Sequence, residues 1–302
     1  MHSNEFLYNL DVVREVISKT EIEFNLVVEI NKSGTDNRVF KIDNEYILRL
    51  PRTKNASEVM QYEQLVLKNF GIASSVKIPK MIFEGHPGKY YPFYYSIYEY
   101  IDGSDLFHTK NNVNMQSVAN DLGDFINALH KTQCDNLQKS SRGDGLQKKN
   151  DEFMKAFNVF DAKFNKDDIL ILWNKLMQVP NWKSAPVTLH SDILPMNIII
   201  KNDQLEAVID FSYVGYGDPA VDLMPAWTIF DKETRPIFLS KTNYDTDTIL
   251  RAMGWALSFA VIAIPYYKHT NNAIYSIAKK TLEEVLLDNC TSENFNPLKY
   301  YT

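Results

Sequence analysis

Four residues in one short segment have the types and spacing that phosphoryl transfer requires. His190 and Asp192 are followed by Asn197, and Asp210 comes later in the same segment. A carboxylate at Asp192 could accept the proton of a substrate hydroxyl, while Asn197 and Asp210 offer the oxygen ligands that Mg²⁺ prefers. The segment therefore predicts transfer of a γ-phosphoryl group, a reaction that depends on positioning and charge neutralisation.

A β-hairpin is predicted between the two candidate metal ligands. Residues 198–200 are three isoleucines and residues 205–209 are apolar except for Glu206, so both read as short strands around the polar turn at residues 201–204. Because the two strands of a hairpin run antiparallel, this arrangement would bring Asn197 and Asp210 to the same end.

This segment resembles the aminoglycoside phosphotransferase family, small-molecule kinases with a protein-kinase-like fold. The family's catalytic loop reads H-G-D-x-x-x-x-N and is followed by I-D-F or I-D-W, which His190, Asp192, Asn197 and Asp210 match. Residues 217–223 look like the family's G-D-P-x-x-D-L. The resemblance implies that Asp192 is the catalytic base, that Asn197 and Asp210 hold Mg²⁺, and that His190 stabilises the loop through hydrogen bonds.

The resemblance also implies the fold class and the division into domains. It covers the chain from about residue 29 to about residue 288 and implies a bilobed α+β protein. Residues 1–101 would form a small, strand-rich, nucleotide-binding lobe, and residues 102–302 a larger, mostly helical lobe for catalysis and substrate binding.

One position departs from the family pattern. Ser191 stands where the family usually has glycine, and serine tolerates a positive φ poorly. The departure, together with a phosphate loop that has a single glycine, leaves open a nucleotide-binding module that has lost its activity.

Two regions of the N-terminal lobe are expected to bind the nucleotide phosphates. By resemblance, residues 33–37 occupy the place of the nucleotide-positioning loop, with Ser33 and Gly34 as candidates, although an ordinary hairpin turn is the alternative. Arg49 lies in an apolar strand where kinases use a lysine for the α/β-phosphates. The planar guanidinium of an arginine presents several N–H donors, whose geometry suits hydrogen bonds to phosphate oxygens.

A helix is predicted over residues 56–69. Glu63 lies on it at the right distance to orient Arg49, and Glu58 competes for that role. The expected buried face of the helix is an apolar stripe: Val59, Tyr62, Leu65, Val66 and Phe70.

Residues 92–103 read as a strand that runs into a connector. By resemblance this is the hinge between the lobes, where Glu99 and Ile101 would offer backbone groups to a purine. Tyr98 would lie at the back of the base pocket, where a bulky side chain resembles family members that favour GTP, although plain strand packing is the alternative. The nucleotide that donates the phosphoryl group is therefore expected to be ATP or GTP.

The C-terminal part is predicted to be mostly helical. His130 ends a predicted helix and is expected to be structural, and residues 138–150 read as a loop near the substrate mouth. Asp222 either braces the catalytic loop or caps a helix. The apolar stretch 252–267 is shorter than a membrane span and is expected to be a buried core helix.

Composition restricts the compartment and the class of partner. The chain has 302 residues, 45% of them hydrophobic, and a formal charge of −6, which weighs against nucleic acid. Two cysteines without metal-ligand spacing indicate a reducing compartment, and no signal peptide is evident at Met1, so a cytoplasmic protein without membrane contact is expected. A monomer or a homodimer is equally compatible with the sequence.

The acceptor is the least determined property. The acidic balance favours a cationic small molecule, and the resemblance makes an aminoglycoside the leading candidate. A macrolide is the runner-up, because the Leu48–Arg52 strand and its aromatic surroundings could suit a bulkier, less charged antibiotic. A metabolite such as an amino alcohol or a sugar also remains open, since fold alone does not fix the acceptor.

Overall fold

A five-stranded antiparallel sheet forms the centre of the N-terminal part. The computed structural model describes residue 6 and residues 9–31, 36–109, 113–160 and 164–290. The strands, in the spatial order β1-β2-β3-β5-β4, are β1 (Val27–Asn31), β2 (Asn37–Ile42), β3 (Tyr46–Pro51), β4 (Met81–Gly85) and β5 (Tyr95–Glu99). Alternate residues of β2 and β3 share one face, which buries Phe40, Ile42, Leu48 and Leu50.

Two helices accompany this sheet. Helix α1 (Leu10–Ile17) is capped by the Asn9 side chain and packs Val13, Val16 and Ile17 into the core of the N-terminal part. Helix α2 (Lys54–Leu67) begins at Thr53, whose hydroxyl accepts a hydrogen bond from the amide of Ala56.

Helix α2 buries only part of the predicted stripe: Val66 is buried, and Tyr62 and Phe70 pack partly buried against the core. Val59 and Leu65 are exposed, whereas Met60, Glu63, Gln64 and Leu67 are buried. These four have the i, i+3, i+4, i+7 spacing of one helix face, so α2 packs a carboxylate and an amide against the sheet. The buried Gln64 amide donates to the carbonyl of Tyr95 at 2.7 Å, which compensates for its burial.

Helices make up most of the C-terminal part. The elements are β6 (Ser104–Asp105), α3 (Met115–Lys131), α4 (Asn150–Asn158), α5 (Lys166–Leu176), β7 (Val187–Leu189), β8 (Ile198–Lys201), β9 (Gln204–Val208), β10 (Gly215–Gly217), α6 (Pro225–Thr228), α7 (Arg235–Thr242), α8 (Thr246–Tyr267) and α9 (Asn272–Cys290). Short 3₁₀ turns cover Leu146–Lys149, Pro195–Asn197 and Pro219–Leu223. The predicted α+β fold class is therefore confirmed.

Helix α8 is the core helix of the C-terminal part. Among the described residues it is the one helix long and apolar enough to span a membrane by composition, and 78% of its most apolar window is buried inside the protein. The prediction of a buried core helix over residues 252–267 is confirmed.

The hairpin that follows the catalytic loop forms as predicted. Strands β8 and β9 pair antiparallel around Asn202 and Asp203, both with positive φ, the conformation of a type I′ turn. The amide of Ile209 donates to the carbonyl of Asn197 at 2.9 Å, so the two ends of the hairpin lie side by side.

The two parts have separate hydrophobic clusters. One contains the sheet residues and α1, and the other contains the C-terminal helices together with Val66, Leu67 and Tyr98. Since Tyr98 belongs to the second cluster, the end of β5 joins the two parts.

Candidate active site

The catalytic loop is held from beneath by one buried carboxylate. Asp222, which is fully buried, accepts hydrogen bonds from the backbone amides of His190 (2.9 Å) and Ser191 (2.7 Å). Ser191 has a φ of +68°, so the position is left-handed, as the glycine of the family pattern suggested. The carboxylate fixes this backbone because it binds two successive amides, and of the two predicted roles for Asp222 the bracing role is correct.

His130 braces the carboxylate in turn. Its Nε2 lies 3.1 Å from Oδ2 of Asp222 and its Nδ1 lies 2.8 Å from the hydroxyl of Tyr244. Both ring nitrogens are thus engaged inside the protein, which agrees with the predicted structural role of His130.

His190 also stabilises the loop from inside the core. The amide of Asp192 donates to its Nδ1 at 3.2 Å, so Nε2 carries the proton that it donates to the carbonyl of Ile209 at 3.1 Å. The ring packs on Phe211 with a centroid distance of 4.6 Å. Being fully buried, His190 orients the loop and does not face the cleft.

Asp192 and its two predicted metal-binding companions line the same cleft. The amide nitrogen of Asn197 donates to the carbonyl of Asp192 at 2.8 Å, which leaves Oδ1 as the Asn197 atom suited to a metal. Asp210 lies at the other end of the hairpin with a φ of +68°.

This donor set fits Mg²⁺. In the described part of the chain no group of three or more His, Cys, Asp or Glu residues could hold a metal. Asp210 and Asn197 instead supply one carboxylate and one amide oxygen, which matches the way Mg²⁺ uses few protein ligands together with substrate phosphates.

An ion-pair network joins the two parts of the molecule across the cleft. Nη1 of Arg49 lies 2.8 Å from Oε1 of the buried Glu63, and Nη2 lies 3.1 Å from Oδ1 of Asp210. The hydroxyl of Ser212 accepts from Nη2 of Arg49 at 3.2 Å and donates to Oδ1 of Asp210 at 2.5 Å, with Oε2 of Glu63 3.2 Å away. Glu58 is exposed and pairs with Lys54 at 3.9 Å, so Glu63 and not Glu58 is the partner of Arg49.

Arg49 and Asp210 keep their charges, whereas burial raises the pKa of the Glu63 carboxyl although Arg49 lies beside it. Burial alone would lower the pKa of the Arg49 guanidinium, but Glu63 and Asp210 raise it above its usual value. Burial would likewise raise the pKa of Asp210, yet Arg49 and the Ser212 hydroxyl hold that pKa below its usual range. A charged guanidinium and an ionised carboxylate therefore face the cleft.

The predicted hinge residues line the cleft near this network. Tyr98 is almost fully buried, and its hydroxyl donates to Oε1 of Glu63 at 3.2 Å. Burial raises the pKa of Tyr98, so the hydroxyl stays protonated. Glu99 ends β5 and pairs with Lys80 at 2.5 Å, and Ile101 follows at the rim. Ser33 and Gly34 lie outside the described residues.

A fifth charged group, not predicted from the sequence, lies in the site. Nη1 of Arg142 pairs with Oδ1 of Asp192 and donates to the carbonyl of Ser191 at 3.0 Å. Its guanidinium lies 4.1 Å from the centre of the Tyr213 ring. Arg142 belongs to the loop that was predicted near the substrate mouth, but no spacing in the sequence connects it with Asp192.

The cleft is large enough for two ligands. Its volume is about 1830 Å³, whereas one drug-sized ligand occupies a pocket of about 300–1,000 Å³. Of the described residues that line it, those from α8, α9 and their connection carry no charge: Trp255, Ser258, Phe259, Ile262, Ala263, Tyr266, Tyr267, Asn271, Ala273 and Ile274. We call these residues the acceptor wall.

Comparison with known proteins agrees with this geometry. Residues 27–251 match the model of the phosphotransferase enzyme family, APH. No curated protein matches the sequence significantly.

Solved structures of several phosphotransferases share the fold. ADP-bound aminoglycoside phosphotransferase APH(2'')-Ib has a TM-score of 0.60 at 17% identity, covering 92% of this chain and 99% of its own. The GDP and kanamycin complex of APH(2'')-IIIa has a TM-score of 0.69 at 15% identity, covering 93% and 100%. Macrolide 2'-phosphotransferase MphH from Brachybacterium faecium has a TM-score of 0.67 at 16% identity, covering 90% and 97%.

Proposed function

Since this chain belongs to the phosphotransferase enzyme family, we propose that it transfers the γ-phosphoryl group of ATP or GTP to a hydroxyl of a small molecule. The observation that carries the proposal is the convergence of Asp192, Asn197 and Asp210 on one cleft that Arg49 also lines. These are the parts that phosphoryl transfer needs: a base, oxygen ligands for the metal, and a cation for the phosphates.

The residues divide the reaction between them. Asp192 accepts the proton of the acceptor hydroxyl, whose oxygen forms a bond to the γ-phosphorus. The bond between that phosphorus and the β,γ-bridging oxygen breaks, and the nucleoside diphosphate leaves. Asp210 and Asn197 hold Mg²⁺, which when bound neutralises charge on the phosphate oxygens.

The remaining site residues position the nucleotide. Arg49, oriented by Glu63, binds the α/β-phosphates, and Ser33 and Gly34, which lie outside the described residues, are proposed to bind the phosphates with it. Glu99 and Ile101 offer backbone groups to the purine, with Tyr98 behind it, an arrangement that favours GTP beside ATP. We assign nucleotide binding to residues 1–101 and acceptor binding to residues 102–302.

For the acceptor, the chemistry of the acceptor wall is the most direct guide. The acceptor wall is uncharged and largely aromatic, with the Lys149 ammonium 5.6 Å from the centre of its Trp255 ring and Glu152 also lining the cleft. Such a wall suits a bulky hydroxylated molecule, and a lysine beside it disfavours a polycation, so we propose a macrolide-like acceptor. An aminoglycoside is the second candidate, supported by the formal charge of −6 and by relatives of that specificity. Local lining outweighs net charge because exposed charges beyond about 10 Å are largely screened.

Product analysis after incubation with ATP or GTP and Mg²⁺ tests this proposal, with macrolides, aminoglycosides and amino alcohols as acceptors. We expect phosphorylated macrolide, and we expect Asp192→Asn to lower kcat by about 10²–10⁴-fold because it removes the proton acceptor while preserving size. Asp203→Asn, in the exposed β8–β9 turn, is the matched control and should retain full activity.

Two results would contradict the proposal. Unchanged kcat in Asp192→Asn would remove Asp192 as the base. Phosphorylation of aminoglycosides alone would show that the acceptor wall does not determine the acceptor class.

A further inference from the structure

The loop that carries Arg142 is fastened to the catalytic loop. The Ser140 hydroxyl lies 2.7 Å from that of Ser191 and donates to the carbonyl of Tyr213 at 3.2 Å. The amide of Ser140 donates to the carbonyl of Tyr216 at 3.0 Å. Ser191 is the departure from the family's glycine, and here its side chain holds a neighbouring loop in place.

Two glycines bring this loop and β10 into direct backbone contact. A Cβ added at Gly217 would lie 2.4 Å from the Cα of Gly143, closer than real Cβ atoms come. The carbonyl of Gly143 accepts from the amide of Asp218 at 3.1 Å. The backbone on both sides of Arg142 is therefore fixed without any help from its side chain.

The guanidinium of Arg142 is aimed at the base. Nη1 of Arg142 donates to Oδ1 of Asp192 and to the carbonyl of Ser191, and the guanidinium lies over the ring of Tyr213. No described residue accepts a hydrogen bond from its Nε or Nη2, although the side chain is only about one-third exposed (32%). Burial would lower the pKa of Arg142, but Asp192 raises it, so the group remains charged.

The ion pair between Arg142 and Asp192 is not needed to anchor the loop, because Ser140 and the glycine pair already hold it. A base must lie about 2.6–3.2 Å from the acceptor hydroxyl, which in turn lies about 3–3.5 Å from the phosphorus. A guanidinium bonded to Asp192 is therefore within reach of the transferring phosphoryl oxygens.

We propose that Arg142 is a further catalytic residue, which donates from Nε and Nη2 to the γ-phosphoryl oxygens while Asp192 takes the acceptor proton. This inference rests on the phosphoryl transfer proposed above. As the oxygen–phosphorus bond to the acceptor forms and the bond to the diphosphate breaks, negative charge spreads over those oxygens. A fork of fixed N–H donors stabilises this charge in the transition state more strongly than it stabilises the γ-phosphate of the nucleotide before transfer.

The test compares Arg142→Gln and Arg142→Lys with the wild-type protein. We expect Arg142→Gln to lower kcat by roughly 10²–10³-fold, the effect of removing one preorganised donor, with little change in the KM for the nucleotide. Lysine keeps the charge without the fork and should recover part of the rate. Lys148→Gln removes an exposed cation that pairs with Asp144 nearby, and it should leave kcat unchanged.

A binding measurement makes the test independent of the acceptor. Nucleoside diphosphate with Mg²⁺ and aluminium fluoride mimics the transferring phosphoryl group, so Arg142→Gln should weaken this complex while the diphosphate alone binds as in the wild type. Added guanidinium ion should partly restore the rate of Arg142→Ala, which a structural role would not predict.

The outcomes separate this inference from the proposed function. Wild-type turnover with equal kcat in Arg142→Gln would overturn the role of Arg142 alone, as would equal affinity of both proteins for the fluoride complex. Absence of turnover with every acceptor, together with a fluoride complex that depends on Arg142, would overturn the proposed acceptors and support the role of Arg142.

Discussion

The site contains two polar clusters, which we call the catalytic floor and the nucleotide roof, and the charged groups of the two clusters have different kinds of partner. We define the catalytic floor as Asp222, His130, His190 and the Ser191 amide, all within the C-terminal part. The nucleotide roof consists of Arg49, Glu63, Asp210 and Ser212, and its ion pairs span both parts of the molecule.

The difference concerns which groups a ligand can replace. In the catalytic floor a fully buried carboxylate is satisfied by the backbone amides of His190 and Ser191 and by His130. In the nucleotide roof, Arg49 and Asp210 face a cleft where phosphate and metal charges could substitute for one another, and only Glu63 is fully buried. We therefore expect damage to the floor to reduce stability and turnover together, and damage to the roof to affect nucleotide use with a smaller loss of stability.

The largest effect should come from Asp222→Ala. Removal of the carboxylate leaves two buried amides and His130 without their acceptor, so we expect the free energy of unfolding to fall by roughly 3–5 kcal/mol, as for a broken buried pair. Urea denaturation measures this change, and turnover should be lost at temperatures where the protein is still folded. Asp151→Ala, at an exposed position in the first turn of α4, is the control and should change stability by less than about 0.5 kcal/mol. If Asp222→Ala unfolds with the same free energy as the wild-type protein, the catalytic floor is no more important for stability than the nucleotide roof.

Glu63→Gln tests the roof with a smaller expected effect. The isosteric change leaves Arg49 without its orienting charge, and we expect the KM for the nucleotide to rise by roughly 10–100-fold, equivalent to about 1.5–3 kcal/mol of hydrogen bonds to a charged group. Glu58→Gln, on the exposed side of the same helix, should leave the KM unchanged. A stability loss in Glu63→Gln as large as that of Asp222→Ala, at normal KM, would show that the roof is structural.

Ser191→Gly should have the smallest net effect. Glycine relieves a positive φ that costs a serine about 1–2 kcal/mol, but the change also removes the hydrogen bond to Ser140, which contributes about 1 kcal/mol. Ser191→Ala removes the hydrogen bond without that relief, so thermal denaturation should rank it below Ser191→Gly. Equal stability of the two variants would mean that the backbone at this position is not strained.

The sequence was most informative where function is carried by residues close together in the chain. Asp192, Asn197 and Asp210 are connected by one loop and one hairpin, so their spacing alone implied that they meet. For Arg49 the sequence offered two partners on the following helix, Glu63 first and Glu58 as the competitor, and the structure pairs Arg49 with Glu63.

Predictions failed where burial did not follow hydrophobicity. Val59 and Leu65 are exposed on α2 because the helix turns Glu63 and Gln64 inward, where Arg49 and backbone carbonyls compensate their polarity. Helix α4 was not predicted either: its nine residues directly follow a polar loop, although Phe153 and Phe157 have the i, i+4 spacing of one buried helix face.

By itself the sequence indicated the reaction class, because the catalytic loop and the hairpin are short-range properties of the chain, and it indicated the fold through the family resemblance of those motifs. Only the tertiary structure decided which distant groups surround the reacting atoms. Arg142 reaches Asp192, and His130 reaches Asp222, through packing between elements far apart in sequence. The electrostatics of the site depend on distances in space, and only the packed molecule fixes those distances.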